Sequence, residues 1–487
     1  VEIKTLSIQT IVEYLNKTKG YAIPSDYYEK IGVWRDWWRG FYKPFHEYRE
    51  VNGTKTVKRK LFTLKMAKKV CEDWASILLN EKTQIVIDDK TSSEFVQGKD
   101  EAGGVFKEND FWAQGNALVE KVFMCGTGAF VLKLAGMQVQ GESIIKDKDT
   151  RICVDYLTAL NIIPLTIRNG KIVEVAFVSE VLEKGKKYIY LETHELSNGN
   201  YQITNQYFQY ENGKLTEKSL PPGIAPKINT GADVPLFSIF SPNIVNTADD
   251  ANGLGMAVYA QAIDNLEGVD LAFNNFCRDF KLGGKKVFYN ASLIQIDEEG
   301  NAIAPDDVMQ QLFMQVGDDY ITENGNKLVQ EFNPSLRVAE NKDGIQAQLD
   351  YLSFKCGLGT KHYQFNAGSV VTATQYMGDK QELIQNASKH YIIIEKALQD
   401  IVRAILWVGR EVLGESVDPD AQITITFDDS YVIDKESERQ RDLQEIRDGV
   451  MQKYEYRMKW YGEDEKTAKA MTEGQQTDDN LMGFGDG

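Results

Sequence analysis

The chain has 487 residues, is 42% hydrophobic and carries a formal net charge of −17. That length allows a large core and two to four subdomains. The acidity argues against a protein that wraps tightly around nucleic acid, which needs many Lys and Arg contacts to phosphate, but not against one that nucleic acid passes through. No window holds eighteen uncharged apolar residues, because the best candidate, 391–408, is broken by Glu395, Lys396, Asp400 and Arg403; neither a membrane span nor a membrane partner is expected. The first residues, from Val1, lack the basic flank and apolar run of a signal peptide. Five scattered cysteines (Cys71, Cys125, Cys153, Cys277 and Cys356) form no CxxC pair, which fits a reducing cytoplasm better than a disulfide scaffold.

In chain order, residues 1–125 read as mainly helical. Ile8, Ile11, Val12 and Leu15 make a short amphipathic helix. Ser25 is expected to cap a second one, with Ile31, Trp34 and Trp38 on one face. Asn52-Gly53 predicts a hairpin turn. Thr63 is expected to cap a helix burying Leu64, Ala67, Val70, Cys71, Trp74 and Ile77; 83–88 reads as a strand, and Asn109 starts a helix through Phe123. Residues 129–245 change to β-rich runs separated by Asn169-Gly170, Asn198-Gly199 and Asn212-Gly213, a meander. Pro221, Pro222, Pro226, Pro235 and Pro242 close that region.

A helix is predicted over 255–280, with Tyr259, Ile263, Leu266, Val269, Phe273, Phe276 and Phe280 as its apolar stripe and Asp264, Glu267 and Asn274 on another face. After Gly283-Gly284 comes a compact insertion to about 337, with strands at 287–289 and 328–332 and a short helix at 306–313. A second helix, about 340–356, shows Ile345, Leu349, Leu352 and Cys356 on one face and is stopped by Gly357 and Gly359. The pair is expected to pack antiparallel and push the insertion out at one end. A segment with no helical period, 360–374, precedes a long helix from about 375 to 414. Its stripe of Leu383, Ala387, Tyr391, Ile394, Leu398, Ile401, Ile405, Val408 and Val412 repeats over about forty residues, roughly 60 Å. A helix of that length needs a large partner surface, often another subunit. Residues 422–427 alternate as a strand, Asp434 is expected to cap a charged helix to about 447, and 453–460 and 463–471 read as short helices. The end, from 472, reads as mobile.

Catalytic signatures are scarce. Each Gly-Lys, at 98, 170, 185, 213 and 284, is followed by Asp, Ile, Lys, Leu and Lys in turn, so no phosphate-binding GxxxxGK[ST] loop exists. Gly126-Thr127-Gly128 leads into a strand, not from a strand into a helix, and does not suit a dinucleotide site. There is no HExxH and no GxSxG, and His46, His194, His362 and His390 are dispersed. Asp249-Asp250, Asp306-Asp307, Asp318-Asp319 and Asp428-Asp429 could each contribute to a two-metal site, Asp428-Asp429 best because it ends a strand; turns and caps are the plainer reading. Lys55, Lys58, Arg59, Lys60, Lys65, Lys68 and Lys69 form the densest basic run, read as solvated or subunit-facing before nucleic-acid-binding. Trp34, Trp37 and Trp38 read as packing. No cofactor, metal or catalytic residue is expected.

Three stretches carry a resemblance. Lys69-Val-Cys-Glu-Asp-Trp-Ala-Ser-Ile-Leu-Leu-Asn-Glu resembles the N-terminal helix of portal proteins from tailed bacteriophages of Gram-positive hosts. Phe427-Asp-Asp-Ser-Tyr-Val-Ile-Asp with Glu438-Arg-Gln-Arg-Asp, and Tyr454-Glu-Tyr-Arg-Met-Lys-Trp-Tyr-Gly-Glu, resemble that family's C-terminal part. The order helix, insertion, helix, loop, long helix is similar to its layout. The resemblance implies an α+β portal fold and a homo-dodecameric ring at one capsid vertex, the head-to-tail connector of the virion, assembled in the bacterial host cytoplasm among major capsid and scaffolding proteins. Double-stranded DNA would be packaged and ejected through it, with terminase and then a head–tail adaptor docking on it. It implies a wing at 1–250, stem helices at 251–282 and 339–357, a clip at 283–338 and a tunnel loop at 358–374. The long helix and return strand would be 375–433, the crown 434–471 and a tail 472–487. By that mapping Lys361, His362, Tyr363, Gln364 and Asn366 would face DNA, Asp264, Glu267 and Asn274 would line the stem channel, and Lys285 and Lys286 would belong to the clip. Two other readings stay open: another phage structural protein, of capsid or baseplate, and a metal-dependent nuclease or nucleotidyltransferase built on Asp428 and Asp429.

Overall fold

The computed structural model describes residues 5–52, 55–99, 103–147, 149–249, 252–290, 298–299, 313–316, 329–364, 373–428 and 435–479. The long amphipathic stripe becomes an α-helix of 36 residues, Ala373–Val408, about 54 Å at 1.5 Å per residue. Leu383, Ala387, Ile394, Leu398, Ile401, Ile405 and Val408 are buried along it. Tyr391 is half-buried and donates its hydroxyl to the carbonyls of Ile77 (3.1 Å) and Asp428 (3.3 Å). α-Helical bonding stops short of the expected end near 414, giving way to a π turn, Gly409–Leu413. The ring of Phe95 presses on the backbone there: a Cβ on Gly409 would lie 2.8 Å from it. A ladder displaced by such a contact is a known origin of π turns.

The N-terminal helices follow their periods, with different ends. Thr5–Lys19 buries Ile8, Ile11, Val12 and Leu15. Tyr27–Trp38 buries Ile31, Trp34 and Trp37, while Trp38 turns outward to donate its indole N–H to Glu120 (3.0 Å). Ser25 does not cap it; Asp26 holds the boundary, and Ser25 offers only its carbonyl, to Tyr28 N (3.3 Å). The next helix starts at Met66 and runs to Leu78, with Lys65 in the left-handed region at φ 55. Thr63 sits outside it, its Oγ1 accepting from Lys65 N (3.0 Å) in a local turn.

The β-rich region holds two sheets. An eight-stranded sheet has the path Val139–Gln140, Ser143–Ile144, Lys227–Asn229, Asn200–Glu211, Lys186–Ser197, Lys171–Glu183, Ile162–Arg168, with Lys214–Lys218 paired to Asn200–Glu211 beside it. A three-stranded sheet orders Phe237–Phe240, Gly128–Ala135 and Arg151–Thr158. The three Asn-Gly turns have positive φ at both residues (50 and 72, 52 and 86, 49 and 77), the mirror-image turn that matches strand twist. Lys184-Gly185 takes the same shape, at φ 47 and 77, without a turn-forming first residue. Gln84–Ile87 pairs antiparallel with Ile423–Thr426, stitching the two ends of the chain together.

Gly126 and Gly255 explain the GTG sequence. Their backbones cross so closely that a Cβ on either would lie 2.2 to 2.3 Å from the other's carbonyl oxygen. Thr127 Oγ1 accepts from Gly255 N (2.8 Å) and Phe123 O from Val258 N (2.9 Å). This crossing occupies the start of the expected 255–280 helix, so the α-helix runs Ile263–Leu282 instead. At the other end, Lys435–Arg447, Lys453–Tyr461 and Glu465–Asp479 are helices joined by polar contacts. Asp442 accepts from Trp460 Nε1 (2.8 Å) and pairs with Lys459 (2.7 Å), and Arg457 grips Glu463 with two bonds (2.8 and 2.7 Å). The expected mobile end from 472 is thus helical to Asp479; Asp434 and 480–487 lie outside the described residues. All five cysteines are free, with Cys71, Cys125 and Cys356 buried. Among the described residues no helix is long and apolar enough to cross a membrane.

His390 sits where the long helix meets this core. Its ring lies edge-on to Trp74 (4.8 Å) and Phe123 (4.9 Å), and its Nδ1 accepts from Asn243 N (3.0 Å). Burial, with Lys389 adding to it, lowers its pKa to about 3. The folded value is below the unfolded one of about 6.5, so the unfolded chain takes up the proton first. Stability is therefore full above about pH 6.5 and falls as pH drops toward 3. Urea unfolding of His390→Asn, which keeps an acceptor near the Nδ1 position, should show a shallower loss of midpoint between pH 7 and 4 than the unaltered protein. Identical pH slopes would mean His390 is not held neutral.

Candidate functional site

Ile263–Leu282 and Val338–Lys355 pack as an antiparallel pair. Leu266, Val269, Ile345, Leu349 and Leu352 are buried. Near the insertion, Asp279 closes the pair: one carboxylate oxygen meets Arg337 (2.8 Å) and the other accepts from Asn341 Nδ2 (2.7 Å). These bonds, Arg337's first, hold the Asp279 carboxyl below its usual range. Beyond the pair, Lys286–Asn290 lies between Phe313–Val316, parallel, and Val329–Phe332, antiparallel. The first and last are the expected strands. Of the expected 306–313 helix, 306–312 lie outside the described residues and Phe313 belongs to a strand. Lys285 is exposed and pairs with Glu331 (2.6 Å), and Lys286 opposes Phe332 in the strand register.

The first helix of the pair is fixed to the N-terminal part by a row of polar side chains at four-residue spacing. Asp270 is buried; its Oδ2 meets His46 Nε2 (3.0 Å) and its Oδ1 accepts from Leu64 N (2.8 Å). Asn274 Oδ1 accepts from Phe62 N (3.2 Å), and Arg278 reaches Tyr48 Oη (3.3 Å) and Glu50 (3.4 Å). Asn274 is therefore buried inside the chain rather than on a channel face, because residues 274 and 270 share a helix face. Asp264 is exposed; Glu267, three residues on, is partly buried, and burial followed by the Asp264 charge raises its carboxyl pKa.

The segment after the pair is anchored at several points. Gly357 and Gly359 take positive φ (78 and 79), as the sequence predicts. Cys356 O accepts from Trp74 Nε1 (3.1 Å), Gly357 O from Asn386 Nδ2 (3.0 Å) and Tyr363 O from Gln346 Nε2 (2.7 Å). His362 Nε2 lies 3.4 Å from Asp73 Oδ2, and Lys69 pairs with the other oxygen. Burial alone would raise the Asp73 carboxyl, but its neighbours, His362 first and then Lys69 and Tyr363, outweigh it and lower the pKa. Tyr363 is buried, so of residues 361–364 only Lys361 and Gln364 stand exposed; Asn366 lies outside the described residues.

The remaining candidates go to structural roles. Asp428 Oδ2 accepts from Asn80 Nδ2 (3.2 Å) and Lys82 Nζ (3.4 Å). Asp249 accepts from Asn252 Nδ2 (3.2 Å). Asp250, Asp306, Asp307, Asp318, Asp319 and Asp429 lie outside the described residues, among which no metal-holding cluster occurs. His46, His194, His362 and His390 are taken up by Asp270, Glu192, Asp73 and Asn243. Sequence reasoning missed Asp73, Asp270, Asp279 and Asn341. The signal was there for Asp270: a polar row, 270-274-278, running beside an apolar stripe.

The family model described as "Phage portal protein, SPP1 Gp6-like" matches residues 24–479. The chain belongs to the phage portal protein family. It is a portal protein of the capsid vertex, a multimeric ring component of the virion in contact with capsid and DNA, and its family is structural rather than enzymatic. Among solved structures, one similar chain is described as "Neck of native GTA particle computed with C12 symmetry", at 10% sequence identity, TM-score 0.34, and coverage of 80% of this chain and 88% of that one. No curated protein matches the chain.

In this portal protein, Asp73 is the side chain that ties His362 to an N-terminal helix. Asp73→Asn removes the charge both His362 and Lys69 meet. Amide exchange in peptides covering 358–364 should rise by about tenfold, the size of one lost charge-assisted contact. Unchanged protection there would mean the backbone bonds from Trp74, Asn386 and Gln346 suffice.

Proposed function

We propose that twelve copies close a ring in which 251–282 and 339–357 are the stem, 283–338 the clip and 358–374 the tunnel loop, with 1–250 as wing, 375–433 the long helix and return strand, and 434–471 as crown. Double-stranded DNA is packaged and ejected along the axis. Terminase docks at the clip during packaging, a head–tail adaptor replaces it, and major capsid and scaffolding proteins surround the ring during assembly in the host cytoplasm. The observation that carries this reading is the antiparallel helix pair closed by Asp279, Arg337 and Asn341, from whose end a three-stranded insertion leaves the body. Such a lobe suits docking by a second protein, with Lys285 and Lys286 at its root.

No motor chemistry is required of this chain, since a separate ATPase drives the DNA. A net charge of −17 per copy favours sliding over sticking, because acidic walls repel phosphate. Asp264 and Glu267 contribute to that wall. At the tunnel loop, exposed Lys361, at φ 62, supplies one positive charge per copy, with Gln364 beside it. Isolated charges touch phosphate weakly and let it go.

Negative-stain images of the purified protein should show closed rings with a central hole. A monomer at high concentration, under every condition tried, would count against the ring. Lys361→Glu should leave rings intact but shorten packaged DNA or let it leak; normal packaging and retention would remove Lys361 from the DNA path. Replacing 290–330 by a short Gly-Ser linker should abolish terminase and adaptor docking while the stem still folds, and intact docking would show that the clip lies elsewhere.

A further inference from the structure

The first four residues of the basic run, Lys55, Lys58, Arg59 and Lys60, fold into a hairpin, Glu47–Asn52 paired with Lys55–Lys60, in a two-stranded sheet with no third strand among the described residues. A lone hairpin is marginal in water. One face is used: Tyr48 and Glu50 meet Arg278. The other carries Arg49, Val51, Lys58 and Lys60, since alternate residues share a face. Arg49 and Lys58 are direct cross-strand partners, and like charges placed opposite each other destabilise a sheet. Lys58 has Glu47 only at 3.8 Å, and Val51 is 73% exposed.

A complementary surface exists on the same chain, out of this hairpin's reach. On the first stem helix the hairpin strap holds Asp270, Asn274 and Arg278. The second stem helix, with Leu336 and Arg337 leading into it, meets Gly268, Asp279 and Gly283. At about 100° per residue the two rows lie roughly 150° apart, so hairpin and second helix flank the first helix on nearly opposite sides. The face of the second helix turned away from the first carries Glu340, Asp343 and Asp350, with Phe354 51% exposed. Its Lys342 and Lys355 lie to the sides of that face. Height agrees too: Arg278, which holds the hairpin, is next to Asp279, which holds Arg337 and Asn341.

We propose that in the ring the exposed face of the hairpin lies on the outward face of the Val338–Lys355 helix of the next copy, setting Arg49 and Lys58 against Glu340 and Asp343. Rotation about the ring axis preserves height, so the two surfaces come level in neighbouring copies. The contact relieves the like-charge pair on each side and covers Val51. A DNA duplex would answer the hairpin's charge but leave Val51 wet, which is why a second copy fits better. The inference rests on the ring proposed above.

Charge reversal in both directions tests it. R49E/K58E should weaken subunit association by about tenfold or more, read by sedimentation and ring counts, with circular dichroism and melting of the monomer unchanged. E340K/D343K should do the same, and the four changes together should restore rings, which only facing surfaces allow. Rings that survive R49E/K58E, or a fourfold variant no better than either pair, overturn the contact. Intact rings that lose DNA retention on R49E/K58E assign the hairpin to DNA and overturn it as well. An unaltered protein that forms no rings overturns the ring itself, and this contact with it.

Discussion

A buried carboxylate organises the body. Asp270 lies in the helix Ile263–Leu282 with both oxygens inside the protein, one on His46 and one on the backbone N–H of Leu64. Leaving a buried charge without its partner costs about 3–5 kcal/mol, so the strap from Tyr42 to Leu64 has little freedom to leave the helix. Asn274 and Arg278 repeat the hold at each next turn. The N-terminal part and this helix therefore form one unit, and the hairpin, the helix pair and the insertion all take their positions from this seam.

The other end of the helix pair is held differently, by backbone acceptors. Cys356 and Gly357 offer their carbonyls to Trp74 on an N-terminal helix and Asn386 on the long helix. Three elements far apart in sequence so converge on one helix C-terminus, where four carbonyls would otherwise lack partners. The chain on either side of Lys361 is thereby held to the N-terminal core, at His362 through Asp73, and to the long helix, at Gly357 through Asn386.

Much of this was legible because burial is periodic. The stripes from Ile8 to Leu15 and from Leu383 to Val408 are buried as their spacing requires, and Asn-Gly turns occur where the mirror-image turn needs them. Ends were less legible, since tertiary contacts decide them. Ser25 and Thr63 look like caps but lie outside their helices, and the Gly126–Gly255 crossing consumed the start of a helix whose apolar pattern continued through it. The site was legible only in outline. Lys361 stands exposed, yet Tyr363 and Asn274, polar on paper, are buried by partners that no local pattern announces: Asp73 is 290 positions from Tyr363, and Phe62 is 212 from Asn274. Lys184-Gly185 turned without the expected first residue because the strands on either side set its geometry.

The three buried thiols have a consequence for the lifetime of the particle. Burial pushes Cys356 up to about 12 and Cys71 well above its ordinary value, and Cys125 donates its S–H to the carbonyl of Thr127 (3.2 Å). It is the thiolate that attacks and oxidises. Held as neutral S–H groups out of contact with solvent, these cysteines are chemically quiet. A virion component has to endure oxygen outside any cell, with no reductase to repair it. Here that endurance comes from packing rather than from a disulfide: the sulfur atoms serve as small apolar spheres in the core, and air has no handle on them.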